Sequence, residues 1–183
     1  KIKYMETLVI YGNTNTSLLP SPYRIGNALA ELKYLKNLTI SALGITTIDK
    51  NELKEPCKVL RTLDVSGNNF TSIPYDLTPT NYPELLNLSL TGNRRYSSIT
   101  DLSTETRDNP GLRIDASSSS FKNLLKWEKL KSLSLSYNLI YGQLPTFINS
   151  YNGSLEYGVS AYTDEDILKN DTLMSASDAV SYT

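Results

Sequence analysis

One nine-residue pattern, LxxLxLxxN, recurs along the chain and constrains its fold more than any other feature. Residues 60–68 (LRTLDVSGN), 85–93 (LLNLSLTGN) and 130–138 (LKSLSLSYN) match the pattern at every specified position or with one conservative change. Residues 5–13 and 35–43 are weaker copies, and residues 112–114 retain only its alternating apolar pair. A recurring pattern of this kind predicts stacked structural units that share one core.

The leucine at the fourth position of the pattern sets the period. The first spacing is 30 residues, and the later ones lie between 21 and 25. The seven positions are Leu8, Leu38, Leu63, Leu88, Leu112, Leu133 and Leu155. The last one is ambiguous, because Leu155 also fits the first position of the pattern. Spacings of roughly 20–29 residues are typical of units that each add one short strand to a parallel sheet.

Each residue type in the pattern has a physical reason. Side chains alternate between the two faces of a strand, so the fourth and sixth positions point into the core while their neighbours face solvent. The ninth position is where the chain leaves the strand, and a buried amide there satisfies backbone groups of adjacent coils. This requirement explains the recurrence of Asn13, Asn68, Asn93 and Asn138.

Longer stretches resemble the plant-type leucine-rich repeat, in which the strand pattern continues as LxGxIP. The resemblance rests on residues 63–74 (LDVSGNNFTSIP), 133–145 (LSLSYNLIYGQLP) and 21–29 (SPYRIGNAL). It implies an α/β fold, a right-handed leucine-rich-repeat solenoid with a parallel β-sheet on the concave face. Irregular, 3₁₀ and short helical coils would form the convex face. We expect an array of about six repeats over residues 1–150, and a degenerate last repeat with a C-terminal cap over 151–183.

Two segments outside the strands also carry expectations. Residues 121–130 have helical spacing, and their apolar stripe predicts a convex-side helix into which Trp127 packs. Ser117 to Ser120 replace the Asn-centred turn, so we expect an irregular coil there. Residues 163–168 resemble an N-capped helix start that would help to cover the end of the sheet.

Composition narrows the chemistry. The 183 residues contain no His and one Cys, and the net charge is -1, so zinc sites, His-based triads and nucleic-acid binding are not expected. Cys57 is expected to be a buried small apolar residue. The carboxylate pairs Asp64 with Asp115 and Glu156 with Asp164 are not marked by any catalytic pattern. We therefore expect no enzyme activity, no cofactor and no metal, and no transmembrane segment in this chain.

The outward positions of the strands form the candidate binding surface. Stacking would align these side chains in columns about 4.8 Å apart. The surface is small, polar and nearly uncharged, with Lys36, Arg61 and Lys131 adding a basic edge. The candidate residues are Tyr11, Asn37, Thr39, Arg61, Asp64, Asn87, Ser89, Arg113, Asp115, Ser134 and Tyr137.

The expected function is binding of another protein, in recognition, adhesion or as a scaffold, through the concave face. The alternatives are a surface glycan-binding protein and an intracellular leucine-rich effector or scaffold. The Tyr- and Asn-rich, Cys-poor composition is similar to that of leucine-rich proteins exported by Gram-negative gut bacteria, often as surface lipoproteins. That similarity implies an exported, periplasmic or cell-surface location for this chain.

Overall fold

The computed structural model describes residues 4–12, 24–92, 112–136, 138–141, 154–158 and 179–182. In this part of the chain an open sheet has the strand order β1-β2-β3-β4-β6-β8-β9. Its strands are β1 Thr7–Tyr11, β2 Asn37–Ser41, β3 Thr62–Asp64, β4 Asn87–Ser89, β6 Ser132–Leu135, β8 Ser154–Gly158 and β9 Ala179–Tyr182. All neighbours pair in parallel except β9, which runs antiparallel to β8.

The register of the sheet follows the sequence pattern. Fourth-position leucines lie directly opposite one another in the order Leu8, Leu38, Leu63, Leu88, Leu133 and Leu155. The predicted parallel strands are thus confirmed at Leu8, Leu38, Leu63, Leu88 and Leu133. The pairing of Leu133 with Leu155 also resolves the ambiguity of the last repeat, since it places Leu155 at the fourth position.

The core lies behind the sheet and is built from the three apolar positions of each repeat. In residues 60–68 these positions are Leu60, Leu63 and Val65, and all three are buried. The same holds for Leu85, Leu88 and Leu90 and for their counterparts in the neighbouring repeats. In β1 the corresponding Leu8 and Ile10 are only half-buried, because β1 is the edge strand of the described sheet. Each repeat therefore buries its apolar side against the next one.

The buried amides at the ninth position hold neighbouring coils together, as predicted. Asn68 is 1% exposed, and its Nδ2 donates to the carbonyl oxygens of Ile40 at 2.7 Å and Val65 at 2.9 Å. Its Oδ1 accepts from the backbone N–H groups of Leu43 and Ile45. Asn138 Nδ2 bonds in the same way to the carbonyl oxygens of Leu90 and Leu135. Asn13 and Asn93 lie outside the described residues.

The prediction of a main-sheet strand at Leu112 is wrong. Strand β5, Arg113–Asp115, pairs instead with β7, Leu139–Tyr141, in a separate two-stranded sheet, and β4 pairs directly with β6. Asn109 stands where the pattern requires its first leucine, so this segment lacks one of the three apolar anchors. Leu112 and Ile114 are nevertheless fully buried.

The segment that follows β5 is ordered. The side chain of Ser118 caps helix α1, Ser119–Leu124, by accepting from the N–H of Phe121. The expected irregular coil at 117–120 is therefore wrong, because serine supplies a helix cap there. The predicted helix exists but ends at Leu124. Trp127 is 4% exposed and donates from Nε1 to the carbonyl oxygen of Tyr82 at 2.9 Å, which confirms its packing role.

The remaining part of the tail is described only at β8 and β9. Their antiparallel pairing, from Leu155 with Tyr182 to Gly158 with Ala179, ends the described sheet. The helix expected at 163–168 lies outside the described residues. The division at residue 150 stays a prediction.

Candidate functional site

The outward side chains of β1–β4 and β6 share one surface, which we call the exposed sheet face. Pairing aligns its residues in two columns, one from the third and one from the fifth position of the pattern. The columns read Thr7, Asn37, Thr62, Asn87, Ser132 and Val9, Thr39, Asp64, Ser89, Ser134. The structure thus brings together six of the predicted site residues: Asn37, Thr39, Asp64, Asn87, Ser89 and Ser134.

Neighbouring polar side chains on this face hydrogen-bond to one another. Asn37 Nδ2 donates to Thr7 Oγ1 at 3.2 Å, and Asn87 Nδ2 donates to Thr62 Oγ1 at 3.3 Å. At the end of the strands, the hydroxyls of Ser41 and Ser66 lie 3.2 Å apart. These bonds restrict the rotamers of the side chains, so less conformational entropy remains to be lost when a partner binds.

Asp64 is the acidic residue of these two columns. Its Oδ1 accepts from the backbone N–H of Ser66 at 3.0 Å, a bond within its own turn. The residue is half-buried, and among the described residues its second carboxylate oxygen accepts no hydrogen bond. Asp64 is therefore oriented by the fold and remains able to accept from a partner's donor groups.

A charged edge runs beside the columns at the second position of the pattern. Backbone hydrogen bonds link its members from strand to strand. The N–H groups of Lys36 and Asn37 donate to the carbonyl oxygen of Glu6, and the N–H of Arg61 donates to that of Lys36. The N–H of Lys131 donates to the carbonyl oxygen of Leu86. Lys36 Nζ forms an ion pair with Glu6 Oε1 at 2.9 Å. Within the described residues Arg61 and Lys131 have no such pair. The predicted basic edge is thus reduced to Arg61 and Lys131.

Two members of this edge were missed from the sequence. Glu6 neutralises Lys36, and Leu86 places a half-buried apolar side chain between Arg61 and Lys131. Both stand at the second position of the pattern, so reading that column through every repeat would have identified them.

Tyr11 projects from the edge strand and is 73% exposed. It pairs with Ser41 in the register of β1 and β2, so it stands at one corner of the exposed sheet face. Tyr137, the other aromatic predicted for this surface, lies outside the described residues.

Arg113 and Asp115 do not belong to the exposed sheet face. They lie in β5, whose partner is β7, so their assignment to the outward columns is wrong. Asp115 instead organises the local turn, because its Oδ1 accepts from Ser117 Oγ at 2.6 Å and from Ser117 N at 2.8 Å. Both hydrogen bonds lower the pKa of Asp115, and the bond from the Ser117 side chain has the larger effect.

This placement also separates the carboxylates considered for catalysis. Asp64 and Asp115 lie in different sheets, and Asp164 lies outside the described residues. Among the described residues no group of three or more Cys, Asp or Glu side chains is arranged to hold a metal ion. Cys57 is buried, as expected, and that burial raises the pKa of its thiol.

One carboxylate is buried, and its contacts assign it to the scaffold. Glu52 is 5% exposed and accepts from Arg24 Nε at 3.0 Å and from the N–H groups of Gly26 and Asp49, both at 3.2 Å. The hydrogen bond from Arg24 to Glu52, with their mutual attraction, raises the pKa of Arg24. Glu52 therefore joins two coils through a paired charge, which is the form in which buried carboxylates are tolerated.

Comparison with known proteins agrees with this geometry. The family model described as Leucine Rich Repeat matches residues 59–79 and 129–151, which contain two of the full nine-residue patterns. A search of curated proteins gave no match. No helix within the described ranges is long and apolar enough to cross a membrane. Proteins of the matched family are generally non-enzymatic and bind other proteins. The two matched segments, together with parallel strands whose register follows the same pattern, show that the chain contains leucine-rich repeats.

Proposed function

We propose that the chain is a non-enzymatic protein-binding module and that its partner binds the exposed sheet face. The same proposal extends the parallel sheet to a right-handed solenoid with this face on its concave side. Its main support is the strict register of β1–β4 and β6, which aligns outward side chains from five repeats on one surface. A surface of this kind suits an extended partner better than a small molecule.

The partner's chemistry follows from the charged edge. Arg61 and Lys131 carry positive charge without an ion pair in the described part of the chain, and Leu86 lies between them. Arg and Tyr are the side chains that most often dominate binding energy at protein interfaces. We therefore assign the edge and Tyr11 to a protein segment that carries acidic side chains beside an apolar one.

Catalysis has little support by comparison. The two columns of the exposed sheet face contain one carboxylate, that of Asp64, and its Oδ1 accepts a hydrogen bond within a turn. Acid–base catalysis requires two groups that both reach one substrate. We propose no active site on this chain.

Glycan binding on the exposed sheet face is also less well supported. Sugar recognition generally uses aromatic rings as platforms, and Tyr11 is the aromatic residue among the described outward positions of β1–β4 and β6. Hydroxyl and amide groups on this face partly satisfy one another. Protein binding remains the better proposal for this surface.

Export to the periplasm or cell surface is proposed from the compositional similarity to exported bacterial proteins. An intracellular effector or scaffold is the alternative. Fractionation of the source cells, followed by protease treatment of intact cells, distinguishes the two locations. Export predicts recovery with the envelope or medium, whereas recovery in the cytosolic fraction would contradict it.

Photo-crosslinking tests the binding surface directly. A photoreactive phenylalanine replaces Asn87 on the exposed sheet face and, as a matched control, Lys54, which is exposed on a coil between β2 and β3. We expect the Asn87 derivative to capture a discrete partner in source cells, and the Lys54 derivative not to capture it.

Affinity measurements then test the chemistry with the purified partner. Arg61→Glu is expected to weaken binding at least about tenfold, because it reverses the charge of the edge. Lys54→Glu, which makes the same change in net charge, is expected to leave affinity within about twofold. Equal effects of the two variants, or capture from position 54 alone, would refute the proposal.

A further inference from the structure

A groove is formed by residues outside the exposed sheet face. It has a volume of about 380 Å³ and is formed by the coil after β3, by one residue of the preceding coil and by one side of α1. None of its lining residues belongs to a strand of the main sheet. The residues that matter here are Lys50, Tyr75, Asp76, Asn81, Ser120 and Asn123, and we call this surface the Tyr75 groove. Its volume is at the lower end of small-molecule sites, which hold roughly 300–1,000 Å³.

The coil that forms one wall of the groove is held in place by its own hydrogen bonds. Asn81 Nδ2 donates to the carbonyl oxygen of Asp76 at 2.8 Å, and Leu77 N donates to that of Pro74 at 3.0 Å. Asp76 Oδ2 also accepts from the backbone N–H of Lys50 at 3.1 Å, which joins this wall to the preceding coil. The groove is therefore formed before any ligand binds, which lowers the entropic cost of binding.

Polar groups in the groove retain hydrogen-bonding capacity. The side chains of Ser120 and Asn123 make no hydrogen bond within the described part of the chain, and Asp76 Oδ1 accepts none there. An amide both donates and accepts, a hydroxyl does likewise, and a carboxylate accepts only. One cationic and one anionic side chain, Lys50 and Asp76, give the groove no excess of charge. This combination suits a neutral ligand that carries several hydroxyl groups.

Tyr75 supplies an aromatic surface at the groove. It is 93% exposed, more than any other large apolar or aromatic side chain among the described residues. Its neighbours Pro74 and Leu77 are buried and anchor the coil from which it projects. The face of an aromatic ring is electron-rich and attracts polarised C–H groups, such as those on the less polar face of a sugar ring.

We infer that the Tyr75 groove binds a neutral pyranose sugar. The apolar face of the sugar stacks on Tyr75, and its hydroxyl groups bond to Asn123, Ser120 and the free oxygen of Asp76. The charges of Lys50 and Asp76 offset each other, so the groove gives a charged sugar no electrostatic advantage over a neutral one. The site shares no residue with the exposed sheet face, so it does not depend on the protein-binding proposal.

Saturation-transfer NMR with the folded chain tests this inference. The probes are methyl β-D-glucopyranoside, methyl β-D-galactopyranoside and cellobiose, with glucuronic acid as the charged comparison. We expect at least one neutral probe to bind with a Kd of about 1–10 mM, in the range of a single small contact surface. Tyr75→Ala is expected to weaken this binding at least about tenfold, and Asn123→Ala by about threefold or more.

Tyr4→Ala is the matched control, because Tyr4 is also a strongly exposed tyrosine but lies outside the groove. It is expected to change the affinity less than twofold. Circular dichroism establishes that each variant is folded, as expected for changes at exposed or half-buried positions. Failure of all neutral probes to bind up to 50 mM (about fivefold above the highest expected Kd), stronger binding of glucuronic acid, or an equal loss in Tyr4→Ala and Tyr75→Ala would overturn the inference.

Discussion

Residues 60–68 and residues 109–117 each contain a strand with buried apolar residues, but the two strands belong to different sheets. Both contain two alternating apolar residues that are fully buried, Leu63 with Val65 and Leu112 with Ile114. The first segment pairs within the main sheet, whereas the second pairs with β7 in a separate sheet. Alternation alone therefore establishes that a strand is buried but does not determine which strand it pairs with.

The difference lies at the two ends of the pattern. Leu60 enters the core ahead of β3, and the side chain of Asn68, after β3, bonds to five backbone groups. The second segment has Asn109 and Ser117 at these positions. Ser117 bonds to Asp115 within its own turn and, among the described residues, does not bridge two coils as Asn68 does. We infer that the outer positions of the pattern direct a strand to the main sheet.

The largest expected effects come from the apolar anchors. Leu88→Ala and Ile114→Ala should each lower the free energy of unfolding by about 2–5 kcal/mol, because both side chains are buried and their removal leaves a cavity. Urea unfolding measures both. A cost below about 0.5 kcal/mol for Ile114→Ala would show that β5 is not packed in the core and would remove one side of the comparison.

Alanine substitution at the ninth position should destabilise the chain much more in the first segment than in the second. Asn68→Ala leaves buried N–H and C=O groups of adjacent coils without partners and should cost about 2–3 kcal/mol. Ser117 is exposed, so Ser117→Ala should cost about 0.5 kcal/mol or less. Similar losses in the two variants, measured by the same urea titration, would contradict the bridging role assigned to Asn68.

Substitutions at the eighth position test whether the turn after the strand requires the left-handed backbone conformation that favours glycine. Gly67 has φ +65°, and Ala42 occupies the equivalent position with φ 56°, where a side chain is strained. Gly67→Ala should lower stability by about 1 kcal/mol. Ala42→Gly relieves strain in the folded chain but raises the conformational entropy of the unfolded chain. The free energy of unfolding is therefore expected to rise by up to about 0.5 kcal/mol. Thermal unfolding of both variants measures these effects, and a loss in Ala42→Gly would show that the turn needs no glycine.

The smallest effect concerns Asp115. Its pKa is lowered in the folded chain, so its charged form adds stability above the unfolded pKa of about 3.9. That contribution is lost as the pH falls through the lower folded pKa. Asp115→Asn should therefore be less stable than the wild type at pH 7, and the difference should shrink by pH 2–3. A difference independent of pH, in urea midpoints, would show that the carboxylate charge is not involved.

Much of the fold could be predicted because the repeat encodes it locally. The fourth-position leucines predicted the register of the main sheet, and Asn68 and Trp127 have the predicted roles. The absence of β5 from the main sheet was not predicted, because its alternating apolar residues satisfy the strand pattern. The strand that pairs with β4 is instead β6, in which Leu133 lies opposite Leu88, 45 positions earlier in the chain. Helix α1 is shorter than its apolar spacing suggested, since Trp127 packs in the core without continuing the helix.

The candidate site could be predicted only where the register held. Six candidate residues lie in the expected columns, namely Asn37, Thr39, Asp64, Asn87, Ser89 and Ser134. Arg113 and Asp115 lie outside these columns, because β5 pairs in the separate sheet. The pairing of Lys36 with Glu6 depends on a contact between repeats that one repeat alone does not reveal. The Tyr75 groove combines two coils and one side of α1, so no single segment marks it.

Disulfide trapping tests most directly which residues make up the exposed sheet face. In a Cys57→Ala background, one variant carries Ser89→Cys with Ser134→Cys and the other Ser89→Cys with Arg113→Cys. Adjacent strands lie about 4.8 Å apart, within the Cα separation of about 4.4–6.8 Å that a disulfide spans. Peptide mapping after mild oxidation should find the bond between positions 89 and 134 and none between 89 and 113. A bond between 89 and 113, with 89 and 134 remaining free thiols, would contradict the proposed surface.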